Sequence, residues 1–145
     1  HVCVEDFNII IHADGFAVNS DAWTDDFFAC DYIGARWWDV AGNGGFCMRS
    51  RKLYDAMLSE NVKFEKDDYP SNSEFVHIES GYVPEDVIIC RVYRSIFESK
   101  YGIVFSDVVL ADRFSIEHHK ESSWVGKSLG FHGKHGIAEY YGVIL

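Results

Sequence analysis

Positive charge is scarce in this chain. Thirteen lysines and arginines stand against twenty-three aspartates and glutamates, a formal net charge of -10. Binding to nucleic acid regardless of sequence needs a positive surface, and so does docking on anionic lipid, so the balance argues against both. Long apolar runs are also missing, which excludes a membrane-spanning helix. Glu5 and Asp6 interrupt the apolar start, so no signal peptide is expected. The four cysteines, Cys3, Cys30, Cys47 and Cys90, form no C-x-x-C pair. Their apolar and aromatic neighbours suggest reduced, buried thiols in a cytoplasmic protein. No P-loop, Rossmann glycine pattern, G-x-S-x-G or H-E-x-x-H occurs, which removes the support for nucleoside triphosphatase, common hydrolase and zinc-protease readings. Internal repeats and low-complexity tracts are absent too.

What is present is hydrophobic. Nearly half of the 145 residues (48%) are apolar and 16% are aromatic, enough to offset the entropy of ordering one domain over residues 1–145. An acidic chain that binds a phosphorylated ligand needs a metal ion or backbone N–H groups to offset the charge.

The first element is Phe7-Asn8-Ile9-Ile10-Ile11, short and β-branched, read as a buried central strand of a parallel or mixed sheet. It runs into His12-Ala13-Asp14-Gly15, and open α/β sheets place ligands at the carboxyl ends of such strands. Ser20 to Cys30 reads as a short helix or turn with Trp23, Phe27 and Phe28 inward. Ser50 to Glu60 reads as a helix. Lys63 to Tyr82 is polar and irregular, a loop or lid. A second helix starts at Pro84 and carries an Ile89, Val92, Tyr93, Ile96, Phe97 stripe to a stop at Gly102. Ile103–Phe105 and Phe114–Ile116 are short strand candidates. Strands mixed with helices give an α/β or α+β class.

Several places carry candidate chemistry, each with a plainer reading beside it. Asp14 presents oxygen to Mg2+ or Mn2+, or it closes an Asx-turn at Gly15. Gly42-Asn43-Gly44-Gly45 lets backbone N–H groups approach a sugar or phosphate, or it is a hairpin turn. Glu85-Asp86 supplies a general base, or good helix-start residues. His132, between Phe131 and Gly133, is an uncrowded ligand or a structural histidine. Trp37 and Trp38 stack on a sugar face or fill the core. His118-His119 reads as solvent-exposed.

The ordered set says more than its parts. Asp31-Tyr32-Ile33-Gly34-Ala35-Arg36-Trp37 is followed by Gly42-Asn43-Gly44-Gly45-Phe46-Cys47-Met48-Arg49-Ser50. Then come Pro84-Glu85-Asp86-Val87, Arg113-Phe114-Ser115-Ile116-Glu117 and Gly130-Phe131-His132-Gly133. From about Asn8 to Gly133 the chain resembles the DUF5672 family, whose members resemble GT-A glycosyltransferases. The family pattern reads roughly Q-x-D, D-Y-I-G-A-P-W, G-N-G-G-F-S-L-R-S, E-D, R-F-S-x-E and G-F-H. Here His12 replaces the glutamine, Arg36 the proline, and Cys47 and Met48 the serine and leucine.

The resemblance implies a fold and a site. The fold would be α/β, a partial GT-A-like mixed sheet flanked by helices. Only seven residues precede Asn8, so most of the N-terminal nucleotide-binding half is expected from a longer protein or a partner chain. Asp14 and His132 would hold Mn2+ or Mg2+ on the donor diphosphate. Asn43, Gly44, Gly45, Trp37 and Arg49 would contact substrate. Asp86 would be the base, with Glu85 holding hydroxyls. The implied activity moves a sugar, with inversion, from a nucleotide-sugar donor to a glycan or other hydroxyl acceptor. The alternative is a non-catalytic glycan-binding or assembly module derived from such an enzyme.

Overall fold

A computed structural model describes residues 5–64, 83–118, 120–133 and 138–142. It is a mixed α/β structure whose strands form two three-stranded sheets. The first has the order β1 (Phe7–Ile11), β4 (Phe46–Ser50), β3 (Tyr32–Gly34), antiparallel throughout. Phe7 pairs with Ser50, Ile11 with Phe46, and Tyr32 with Arg49. The second joins β2 (Gly15–Ala17) antiparallel to β6 (Gly130–His132), and β6 parallel to β5 (Ser115–Ile116).

The central strand is β4, not β1. All five β4 residues are buried. Its side chains alternate between two cores, as the two-residue strand period requires. Cys47 joins Tyr32, Leu53, Phe97 and Ile103 on one side. Phe46 and Met48 join Phe27, Ile33, Phe114 and Leu129 on the other. The strand β1 is an antiparallel edge, pairing with β4 alone among the described residues. Ile10 packs inward while Ile9 and Ile11 are 45% and 50% exposed. A continuous apolar run suggests burial on both faces, but here the face carrying Ile9 and Ile11 is partly open to solvent.

Helix α1 (Arg51–Ser59) follows β4 directly. The Ser50 hydroxyl accepts the Leu53 N–H at 3.1 Å and caps it. Leu53 and Ala56 face the core. Where one helix is expected from Pro84 to Gly102 there are three segments. These are α2 (Glu85–Val87), a π turn (Ile88–Val92) and α3 (Arg94–Tyr101), which ends on Gly102 at φ 60°. The π turn inserts an extra residue into the helical repeat, which buries Ile88, Ile89 and Cys90 in succession and leaves Ile96 partly exposed.

Helix α4 (Val108–Phe114) is capped by Asp107, whose carboxylate accepts the Leu110 N–H at 2.7 Å. It delivers the chain to β5. Ile103–Phe105 contributes only an isolated parallel bridge between Tyr32 and Phe105. Ser20 to Cys30 holds two 3-10 turns. They bury Phe27 but leave Trp23 and Phe28 partly exposed against each other. Cys30, Cys47 and Cys90 are free and buried. Burial pushes the Cys30 and Cys47 thiols up to about 11, so they are unreactive core groups. No helix among the described residues is long and apolar enough to cross a membrane. Cys3, His77, His119, His135 and the 65–82 part of the expected lid lie outside the described residues.

Candidate functional site around the glycine strand

The residues Gly42 to Gly45 return the chain from a long β3–β4 connection rather than making a tight hairpin turn. Within that connection Arg36 bridges Ala41, and the Gly42 and Asn43 N–H groups both donate to the Ala35 carbonyl, at 3.2 and 2.9 Å. All four residues are buried. The buried Tyr32 hydroxyl donates to the Gly42 carbonyl at 2.9 Å and fixes the segment from behind.

Gly44 and Gly45 are the centre of the arrangement. A Cβ on Gly45 would lie 2.0–2.2 Å from the His132 imidazole, so the ring occupies the space a side chain would fill. A Cβ on Gly44 would lie 3.0 Å from Asp86 Cβ and 3.0 Å from Glu85 Oε1. The two candidate clusters thus pack against neighbouring residues, whose α-carbons are about 3.8 Å apart.

On the Gly44 side, Asp86 Oδ2 accepts the Gly44 N–H at 2.9 Å and Oδ1 accepts the N–H of Val87 at 2.8 Å. Burial raises the Asp86 carboxyl above its usual range. The Gly44 and Val87 N–H groups oppose that rise, and the neighbouring Glu85 adds to it. Glu85 Oε1 accepts from Arg49 at 2.6 Å. Arg49 lies buried on β4 with its guanidinium 5.3 Å from the centre of the Tyr32 ring. Burial disfavours its charge, but Tyr32, Cys47 and Glu85 around it more than offset that, so it stays protonated.

On the Gly45 side, β6 ends at His132 and the turn after β1 carries Asp14. The turn is closed by the backbone, with the Gly15 N–H on the His12 carbonyl at 3.0 Å. The Asp14 carboxylate faces His132 instead, Oδ1 to Nε2 at 3.2 Å. The Asp14 carbonyl accepts the Gly133 N–H, and the Gly45 carbonyl accepts the His12 N–H, at 2.9 and 2.8 Å. These bonds extend the β2–β6 and β1–β4 ladders by one residue pair each, and the seat of the His132 ring on Gly45 is what joins the two sheets at the site. His12 meets His132 edge-on at 5.7 Å between ring centres.

Glu117 completes the network and was not singled out from sequence. It is buried after β5, with Oε2 accepting from Asn43 Nδ2 at 2.6 Å and Oε1 lying 3.3 Å from His132 Nδ1. The Asn43 Oδ1 then accepts the Gly45 N–H at 2.9 Å. The chain of contacts therefore runs Asp14, His132, Glu117, Asn43 and on to the glycine pair. For His132, burial lowers the pKa, but Glu117 and Asp14 outweigh it, and the net shift is upward. Glu117 lay within the R-F-S-x-E stretch, so an acidic residue just past a short apolar strand was the available signal. Its partner Asn43 is 74 residues away.

Trp37 sits at the edge of this network. Its indole packs on Gly42, where a Cβ would lie 2.4 Å from a ring carbon. Three buried polar atoms at the site have no hydrogen-bond partner among the described residues: Arg49 Nε, Glu85 Oε2 and His132 Nδ1. The last is within ion-pair distance of Glu117 but outside hydrogen-bond geometry. Buried unsatisfied groups are uncommon, and functional sites are one place they gather.

A family model described as "Protein of unknown function (DUF5672)" matches residues 4–132. The chain belongs to the DUF5672 family. Every residue of the site, from Asp14 to His132, falls within the match. No curated protein and no solved structure matches the chain.

The site fits a hard divalent cation in part. Cis ligands of an octahedral ion, each about 2.1 Å from it, stand about 3 Å apart, and Asp14 Oδ1 and His132 Nε2 are 3.2 Å apart. Glu117 lies 3.3 Å from the other ring nitrogen, near but not in the hydrogen bond by which a metal-bound histidine is usually supported. Among the described residues no three histidine, cysteine or acidic side chains converge on one point. A cation held by this pair alone would need its remaining ligands from water or substrate.

Proposed function

We propose that this DUF5672 chain is a metal-dependent glycosyltransferase that moves a sugar from a nucleotide-sugar donor to a hydroxyl acceptor with inversion. The observation that supports it most is the seating of the two clusters on adjacent glycines, Asp86 against Gly44 and His132 against Gly45. A purely structural glycine turn needs neither a carboxylate nor an imidazole in those places. The ordered motifs resemble the DUF5672 family, whose members resemble GT-A glycosyltransferases, and that points the same way.

Asp14 and His132 would hold Mn2+ or Mg2+, which when bound offsets the charge that builds on the leaving diphosphate. The Gly44 and Val87 N–H groups hold Asp86 in one orientation, and each of its oxygens keeps a second lone pair. As acceptor oxygen bonds to the anomeric carbon, the bond to the diphosphate oxygen breaks, and the hydroxyl proton passes to Asp86. Burial raises the Asp86 pKa, which makes its carboxylate a better proton acceptor than an exposed one. Glu85 is fixed by Arg49 through Oε1, and its Oε2 is buried and unpartnered among the described residues, so it would take a substrate hydroxyl only once the site opens around it. This gives Arg49 a positioning role behind Glu85 rather than direct contact with substrate. Glu117 and Asn43 hold His132 and the glycine backbone in register.

The test is turnover of nucleotide sugars with Mn2+, read as release of nucleoside diphosphate. Asp86→Asn removes the base and also one of the two backbone N–H bonds, since an amide nitrogen cannot accept, and a loss of about 10²–10⁴-fold is expected in a chain that still folds. Full activity in a folded Asp86→Asn chain contradicts the assignment.

One observation favours a second reading, an assembly module. The edge strand β1 exposes Ile9 and Ile11 beside an edge that pairs with nothing among the described residues. Concentration-dependent association without any nucleotide-sugar turnover would support it.

A further inference from the structure

Beyond the glycine strand, the β3–β4 connection carries two adjacent indoles that behave differently. Trp37 is partly buried on Gly42, whereas Trp38 is 82% exposed. Trp37, Trp38, Val87 and Arg91 line a cavity of about 270 Å³. Val87 directly follows Asp86, whose Oδ1 accepts the Val87 N–H. The cavity therefore borders the residue next to the carboxylate assigned as base. A tryptophan left uncovered beside a second indole is an apolar surface that a ligand would cover.

The rim decides which ligand. The Arg91 guanidinium lies 5.1 Å from the centre of the Trp37 ring. It donates to both oxygens of Asp39, at 2.8 and 3.4 Å. Its charge is balanced, so an anion would have to displace a carboxylate. The rim holds this ion pair beside an apolar floor, and the Asp39 side chain, 68% exposed, keeps carboxylate lone pairs toward solvent. A neutral pyranose matches that pattern, with C–H groups on one face and hydroxyls around its edge. The volume suits one ring, not a helix or an extended peptide.

We infer that the Trp37–Trp38 cavity binds a neutral pyranose, the acceptor sugar, with a C–H face on Trp38 and hydroxyls on the exposed Asp39 carboxylate. The inference rests on the transferase reading only for the word acceptor. Sugar binding itself stands apart from it.

The test is titration of the full chain with methyl pyranosides of the gluco, galacto and manno series, read by tryptophan fluorescence and by saturation transfer to the sugar C–H protons. A saturable response to at least one pyranoside is expected. Trp38→Ala should weaken it about tenfold, since an aromatic contact and its buried area together are worth about 1.4 kcal/mol. The unfolding midpoint of Trp38→Ala should match the wild type, because the side chain is exposed. No saturable response to any pyranoside overturns the inference. So does binding that Trp38→Ala leaves unchanged, or a response to an aromatic dipeptide or to inorganic phosphate in place of the sugars. Sugar binding by a chain that never turns over a nucleotide sugar keeps this site and removes the transferase. Turnover with acceptor kinetics indifferent to Trp38→Ala does the reverse.

Discussion

Gly45 is the position where one atom matters most. Gly45→Ala would place a methyl group 2.0–2.2 Å from three atoms of the His132 ring. The neighbour is an imidazole held between two carboxylates, not the free end of a flexible chain. Either the ring leaves its place or the strand shifts, at a cost of about 1–3 kcal/mol. Chemical denaturation should show that loss, with Gly44→Ala milder because its closest contacts are 3.0 Å. A Gly45→Ala chain as stable as the wild type would mean that His132 is not seated as described. His132 also gives a pH dependence. Its folded pKa lies above the ordinary 6.5 because the Glu117 and Asp14 contributions exceed the cost of burial. Between 6.5 and the raised value the folded chain holds more proton than the unfolded one. Its contribution is therefore complete below 6.5 and is lost as pH rises through the folded pKa. Melting temperature against pH should fall across that window in the wild type. His132→Asn should flatten the fall, and an identical slope in both would contradict it. At this scale the sequence shows that Asp14, Asp86 and His132 are present and in order. It does not show Glu117 gripping Asn43, because that contact spans 74 residues and depends on β5 and β6 lying side by side.

Elements differed in how far they could be read, for physical reasons. Helix α1 was legible because it has a serine cap and an inward row at helical spacing. Strand β1 was legible as a strand, but its place in the sheet was not. An apolar run states what the side chains prefer, not how many faces are covered. Helix α4 was missed. It is seven residues long and begins with Val108 and Val109, whose β-branching favours strands, so Asp107 was its main signal. Asp107→Ala removes the bond to the Leu110 N–H and should cost about 1 kcal/mol. The loss should appear as a lower denaturation midpoint, and no change would show the cap to be idle. The π turn was equally hidden. Periodicity assumes one repeat from Pro84 to Gly102, and the inserted residue turns Ile88–Cys90 into the core. That rotation also places Arg91 over Trp37.

For the whole molecule, the two sheets meet at the site. The His132 ring at the end of β6 seats on Gly45 before β4, and Glu117 after β5 accepts from Asn43, so these contacts join the two sheets and the candidate ligands come from the β1–β2 turn and β6. Asp86 and Arg49 are held from the other direction by α2 and β4. The mixed α/β class was readable from the alternation of elements. The division into two small sheets was not, because strand order is set by pairings distant in sequence. A net charge of -10 fits a phosphorylated ligand only if a cation or backbone N–H groups compensate, so the central claim is a claim about metal. The direct measurement is calorimetric titration of the full chain with a nucleoside diphosphate, with and without Mn2+. The account predicts saturable binding that requires Mn2+ and disappears in Asp14→Asn. Nucleotide binding that ignores Mn2+ and survives Asp14→Asn would contradict it.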